Sequence, residues 1–78
     1  TLLNFFSNIF SMNKFSERLR ELRKENNLST MQLGKAIGVS DATICHWENA
    51  QNDAKISQLI KLALYFNVSS DYLIGLED

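Results

Sequence analysis

A chain of 78 residues has room for one domain with a small core, and 45% hydrophobic against 22% charged residues excludes a disordered or membrane-spanning chain in favour of an ordinary soluble one. The single cysteine excludes an internal disulfide and suits a reducing, cytoplasmic setting, and no apolar run reaches the length of a membrane span. The net charge of −1 does not announce a nucleic-acid partner, but residues 13–39 carry six Lys and Arg against three Glu (+3), whereas residues 40–78 carry two Lys against six acidic residues (−4). Such a split can give a basic face to a slightly acidic chain.

Residues 1–12, TLLNFFSNIFSM, form an apolar extension with no charge. They lack the basic start and small-residue cleavage site of a signal peptide. Thr1 is not an initiator residue and Met12 is followed at once by a domain-like sequence, so Met12 is expected to be the natural start and residues 1–11 to come from upstream or expression-derived sequence. The alternative is a genuine helix whose Leu3, Phe6 and Phe10 pack on the domain or on a second copy. Exposed, the segment would favour self-association.

The domain runs over residues 13–76, with 77–78 as a polar tail. Residues 13–27 are expected to form its first helix, with Phe15, Leu19 and Leu22 as the core stripe. Arg20, Arg23 and Lys24 lie off that stripe and read mostly as a solvated face. Asn26 and Asn27 end the helix.

Ser29 and Gln32 have the spacing of a capping box and start a second helix, in which Leu33 and Ile37 share a face. Gly38 stops it in the left-handed conformation, and Ser40 caps the helix 40–49. There Ile44 and Trp47 turn inward, while Asp41, Ala42, Cys45 and His46 lie on the opposite face. Two short helices, a glycine turn and a shared apolar side describe a helix-turn-helix.

Residues 50–55 read as a polar loop. A helix over 56–66 follows, with Ile56, Leu59, Ile60, Leu62, Ala63 and Phe66 as a broad apolar face suited to the centre of a bundle. Asn67 closes it. Ser69 or Ser70 caps a short fifth helix with Tyr72, Leu73 and Ile74 inward and Gly75 as its stop. The ending is abrupt for a regulator, so a second domain is expected either to have been removed or never to have existed.

Residues 13–76 resemble the Cro/C1-type (XRE) helix-turn-helix domain of phage repressors and bacterial regulators. The resemblance lies in FSERLRELRKENNLS, in Leu33-Gly34 followed by Ile37-Gly38-Val39-Ser40, in Ile44-Cys45-His46-Trp47-Glu48-Asn49 and in LIKLALYFNVSSDYLIG. It implies an all-α, compact five-helix bundle of the lambda-repressor-like DNA-binding type. The third helix then binds operator DNA, usually in a dimer. The resemblance places a phosphate contact at Thr30, where the family commonly has glutamine. It places another at Asn49, and pairs Arg23, itself facing the DNA backbone, with Glu48. Base contacts fall to Ser40, Asp41, Ala42, Thr43 and His46. Three positions depart from the family pattern: Ala50 stands where glycine is usual, Ala54 where proline is usual, and Lys55 alone remains of a commonly basic loop. Backbone affinity should therefore be modest.

A recognition helix fits the major groove and reads base edges from its N-terminal turns. Asp41 could accept from a cytosine amine, or equally favour the helix dipole and reject wrong sequences. Ala42 and the Thr43 methyl could touch a thymine methyl, and His46 could donate to guanine or to phosphate. Trp47 reads as core, and Cys45 as an inert thiol without partners that would make it a nucleophile. Arg23, Thr30, Lys35 and Asn49 are the expected phosphate contacts, which carry the salt-dependent affinity. Two copies on a palindromic operator, with recognition helices about 34 Å apart, would add their contacts. The expected function is a sequence-specific double-stranded-DNA-binding transcriptional regulator, a repressor acting as a homodimer on DNA. The alternative is a protein-interaction module on the same fold, such as an antitoxin or anti-repressor. No paired catalytic acids, metal-ligand cluster or phosphate loop points to an enzyme, a cofactor or a metal.

Overall fold

The computed structural model describes residues 14–78. The extension 1–12 and Asn13 lie outside the described residues. Five helices follow one another: α1 Phe15–Glu25, α2 Thr30–Ile37, α3 Asp41–Glu48, α4 Ile56–Phe66 and α5 Ser70–Ile74. This is the expected all-α bundle, with no strand among the described residues.

The helix ends are set by local hydrogen bonds. Asn26 Nδ2 donates back to the Leu22 carbonyl at 2.7 Å, and Asn27 turns left-handed at φ 56°, closing α1. The Ser29 Oγ accepts from Gln32 N at 3.0 Å while Gln32 Oε1 accepts from Ser29 N at 2.8 Å, so the capping box that opens α2 is complete. Gly38 ends α2 at φ 80°, where a side chain would be strained. The N–H groups of Gly38 and Val39 both donate to the Gly34 carbonyl, at 2.8 and 2.9 Å. Gly34 has a different reason to lack a side chain: a Cβ there would stand 2.7 Å from the Val39 carbonyl oxygen. Ser40 Oγ and Ser69 Oγ accept from Thr43 N and Tyr72 N, capping α3 and α5.

Every helix contributes to the core. Leu19, Leu33, Ile44, Trp47, Leu62 and Leu73 are its most deeply buried side chains. The Phe15 and Trp47 rings meet edge to face with centroids 6.0 Å apart, joining α1 to α3.

Helix α4 departs from expectation. Only Leu62 is fully buried, and Leu59, Ala63 and Phe66 are partly so. Ile56 and Ile60 were expected at the centre of the bundle, yet they are 77% and 51% exposed. The cause is angular. The apolar residues of α4 spread around more of its circumference than its packing partners, chiefly α5 and α2, cover. Of the three residues expected inward on α5, Leu73 is buried and Tyr72 and Ile74 are half-buried.

Arg18, to which the sequence assigned no role, is held within the fold. Its guanidinium donates to the carbonyls of Tyr72 and Glu77 and lies 4.3 Å from the centroid of the Tyr72 ring. Ser69 Oγ donates to Glu77 Oε1 at 2.5 Å, so the polar tail is tied to the fold.

Candidate nucleic-acid interface

Helix α3 presents one wet face and one dry one. Ile44 and Trp47 are buried, and Ser40, Asp41, Ala42 and His46 are exposed. Thr43 and Cys45 are half-buried at the edges of that exposed face. The structure thus gathers all five residues expected to meet bases on one helix and its cap. Their freedom differs. Ser40 and Thr43 share a hydroxyl–hydroxyl bond of 2.8 Å besides the cap, so one of the two protons is committed to the pair while the accepting hydroxyl keeps its own O–H to offer. The Cys45 thiol donates weakly to Asp41 Oδ1 at 3.9 Å. His46 Nδ1 lies 3.4 Å from Asn52 Nδ2. This long contact ties the ring to the 50–55 loop. Asn52, from the polar loop, was not read as part of the site, because nothing local marks it.

The end of α3 is locked to α1 through Glu48, whose side chain is only 6% exposed. Arg23 meets it with two nitrogens, Nε to Oε2 at 2.6 Å and Nη2 to Oε1 at 2.9 Å. This is the bidentate form of a charge-assisted pair. The third arm, Nη1, donates to the Leu28 carbonyl at 2.9 Å. The Glu48 hydrogen bond raises the Arg23 pKa further above its ordinary high value, so Arg23 stays cationic throughout the physiological range. Arg20 closes the cluster, with Nε 3.6 Å from Glu48 Oε1, Nη2 donating to the Glu48 carbonyl at 2.6 Å, and a weaker contact to Asn49 Oδ1 at 3.5 Å. Neither the burial of Glu48 nor the part played by Arg20 was evident beforehand. The available signal was that Arg20 and Arg23 stand three apart on one side of α1.

Of the four expected phosphate ligands, Lys35 stands apart from Thr30 on α2. Thr30 is half-exposed at the start of α2 and Asn49 is exposed after α3. Lys35 lies five residues beyond Thr30, about 140° around α2. It lines a shallow cleft with Gly38, Lys61, Leu64 and Tyr65, on the side of α4. Arg23 has all three nitrogens engaged and a side chain 15% exposed. Its geometry is that of a residue holding α3 in place. Together with Arg18 and Arg20, it takes up half of the six cations counted in residues 13–39.

Ala50 ends the α3 turn at φ 57°, with its N–H donating to the Trp47 carbonyl at 3.2 Å. Alanine in this conformation costs about 1–2 kcal/mol. Glycine would relieve that but adds about 0.4–1 kcal/mol of unfolded-chain entropy. Ala50→Gly should therefore raise stability, by up to about 1.5 kcal/mol. A urea-unfolding midpoint at or below that of the parent chain would contradict this account of the turn.

Comparison with known proteins gives consistent matches. A family model described as "Helix-turn-helix" matches residues 19–73. An uncharacterized HTH-type transcriptional regulator, YobD of Bacillus subtilis (strain 168), is 34% identical over 64 residues, covering 82% of this chain and 57% of that protein. Repressor protein C2 of Salmonella phage P22 is 34% identical over 58 residues, covering 74% of this chain and 27% of that protein. The chain thus spans little over half of the first relative and about a quarter of the second. Among solved structures, the P22 c2 repressor in complex with a synthetic operator superposes with a TM-score of 0.73 at 34% identity, covering 76% of this chain and 89% of that one. A transcriptional regulator from Listeria innocua gives a TM-score of 0.76 at 33% identity, covering 82% and 60%.

Proposed function

This chain belongs to the Cro/C1-type helix-turn-helix family, and from that premise we propose that it is a sequence-specific double-stranded-DNA-binding transcriptional regulator that lays α3 in the major groove. The observation that carries the proposal is the two-sidedness of α3. Ile44 and Trp47 anchor it, Glu48 fixes its end to α1, and the opposite face is presented from Ser40 to His46. Asp41, Ala42 and His46 are the principal base readers. Ser40 and Thr43 join them through the hydroxyl that accepts in their mutual bond and keeps its own proton. Thr30 and Asn49 seat the helix on phosphate, and Arg23 positions it. Lys35 reaches phosphate only on the α4 side.

A repressor role on operator DNA is supported by similarity to the P22 protein, whose solved structure holds a synthetic operator; one copy per half-site of a palindromic operator completes the proposal. Internal use of Arg18, Arg20 and Arg23 leaves few cations to neutralise phosphates, so affinity per copy should be modest and its salt dependence shallow.

Fluorescence anisotropy of the protein against a selected operator and a random duplex, over a range of salt, tests this. Thr30→Ala should weaken both duplexes alike. His46→Ala should cost about 1–3 kcal/mol on the operator only and relax preference at one base pair. The absence of salt-sensitive binding at micromolar protein would favour the second reading, a protein-interaction module such as an antitoxin or anti-repressor. The exposed apolar side chains of α4 are the observation behind that reading.

A further inference from the structure

The shallow cleft between α2 and α4 combines charge with apolar surface. Lys35 and Ile37 line it from α2, and Lys61, Leu64 and Tyr65 line it from α4, around a space of about 620 Å³. The three α4 residues are spaced by three and four, so they share one side of that helix. Ile37 is buried, whereas Leu64 is 76% exposed and Tyr65 45%. Both lysines are exposed. Neither has a counter-charge: the salt bridges among the described residues all run to Glu48, and no carboxylate lines the cleft. Lys61 is one of two cations in residues 40–78, against six acidic residues. The acidic half of the chain thus places one of its few positive charges beside a cation of the other half, with uncovered apolar side chains between them.

These two properties together select the ligand. The phosphates of a duplex would satisfy the lysines but cover no apolar surface, and Lys35 stands about 140° around α2 from Thr30. A small anion would remain largely in water, because a small-molecule site covers most of its ligand and this cleft is open. A peptide segment that carries carboxylates on one side and apolar side chains on the other matches both properties. Its charge is drawn to Lys35 and Lys61, and its apolar side removes Leu64 and Tyr65 from water. We propose that the α2–α4 cleft docks an acidic amphipathic segment of a partner protein, in the manner of a helix laid in a groove. None of Ser40, Asp41, Ala42, Thr43 and His46 lines the cleft, so the segment leaves the exposed face of α3 open. Docking here therefore stands whether or not α3 takes DNA.

Nuclear magnetic resonance titration of the isotope-labelled 78-residue chain tests the proposal. The probe is a peptide of about three helical turns with glutamate along one side and leucine along the other. It should shift the amides of residues 35–38 and 61–65 and approach saturation below about 1 mM. Lys35→Glu combined with Lys61→Glu, shown by helical circular dichroism to keep its fold, should weaken binding by about tenfold or more, and added salt should weaken it in the parent chain. Control peptides with serine in place of leucine, or lysine in place of glutamate, should each bind about tenfold more weakly or worse. No shift at about 1 mM peptide, shifts confined to other residues, or a loss below about threefold for the reversed pair or for either control would overturn the proposal. A random duplex that shifts the amides of 35–38 and 61–65 where the peptide does not would overturn it in favour of nucleic acid.

Discussion

Glu48→Ala should be among the most damaging single changes in this domain, at about 3 kcal/mol or more. The carboxylate is nearly inaccessible and takes two nitrogens of Arg23, so truncation leaves a guanidinium that is 15% exposed without its counter-charge. Removing one partner of a buried pair costs more than removing both, because the survivor is left desolvated and unpaired. The discriminating companion is therefore Arg23→Met with Glu48→Leu, which should recover most of the loss. Arg20 sets the lower bound, since its contact to Glu48 is long and its side chain is 42% exposed. Urea midpoints for the parent, single and paired variants settle the matter. A loss below about 1 kcal/mol for Glu48→Ala would mean that the pair is screened as an ordinary surface one. The effect on DNA binding should follow, since the same pair fixes the end of α3.

Trp47→Ala should be larger still, about 3–5 kcal/mol. Trp47 is 2% exposed, meets Phe15 edge to face and occupies the junction of α1 and α3. A domain of this size has a total stability of roughly 3–10 kcal/mol. The variant should therefore be largely unfolded at room temperature, while Trp47→Phe should fold with a reduced midpoint. Helical circular dichroism is the appropriate readout, because Trp47 is the only tryptophan. A Trp47→Ala protein that keeps its full helical signal and cooperative melt would show that the core closes without the indole.

These two residues mark what could be read from sequence. Trp47 followed from its spacing to Ile44, and the Ser29–Gln32 box, the Ser40 cap and the Gly38 stop followed from contacts three or four residues apart. Such signals are local, and the fold honours them. Glu48 paired with Arg23 was legible only through the family resemblance, and its burial was not. The partners of Arg18 and Arg20 lie 54 and 28 residues away, a separation at which charge on a helix looks the same whether solvated or clamped. Helix α4 misled for a related reason. Periodicity counts apolar residues but does not say which flank a neighbour covers, so Ile56 and Ile60 read as core. Within the candidate site, the exposed face of α3 was legible because a dry face implies a wet one. The separation of Lys35 from Thr30 follows from their spacing around α2. The Asn52 contact to His46 depends on how the 50–55 loop returns, which no short-range rule fixes.

The grip of Arg18 on Tyr72 and Glu77 joins the first helix of the described domain to the last. Leu19 and Leu73 are both fully buried in the core, and α1 and α5 touch. Neither terminal helix can peel away while the rest stays intact, because lifting one strips the cover from the other. A chain of short helices would ordinarily fray inward from its ends, through a ladder of partly open states. Here the closure of end upon end removes the lower rungs of that ladder. The domain should hold together, or come apart, as a single cooperative unit.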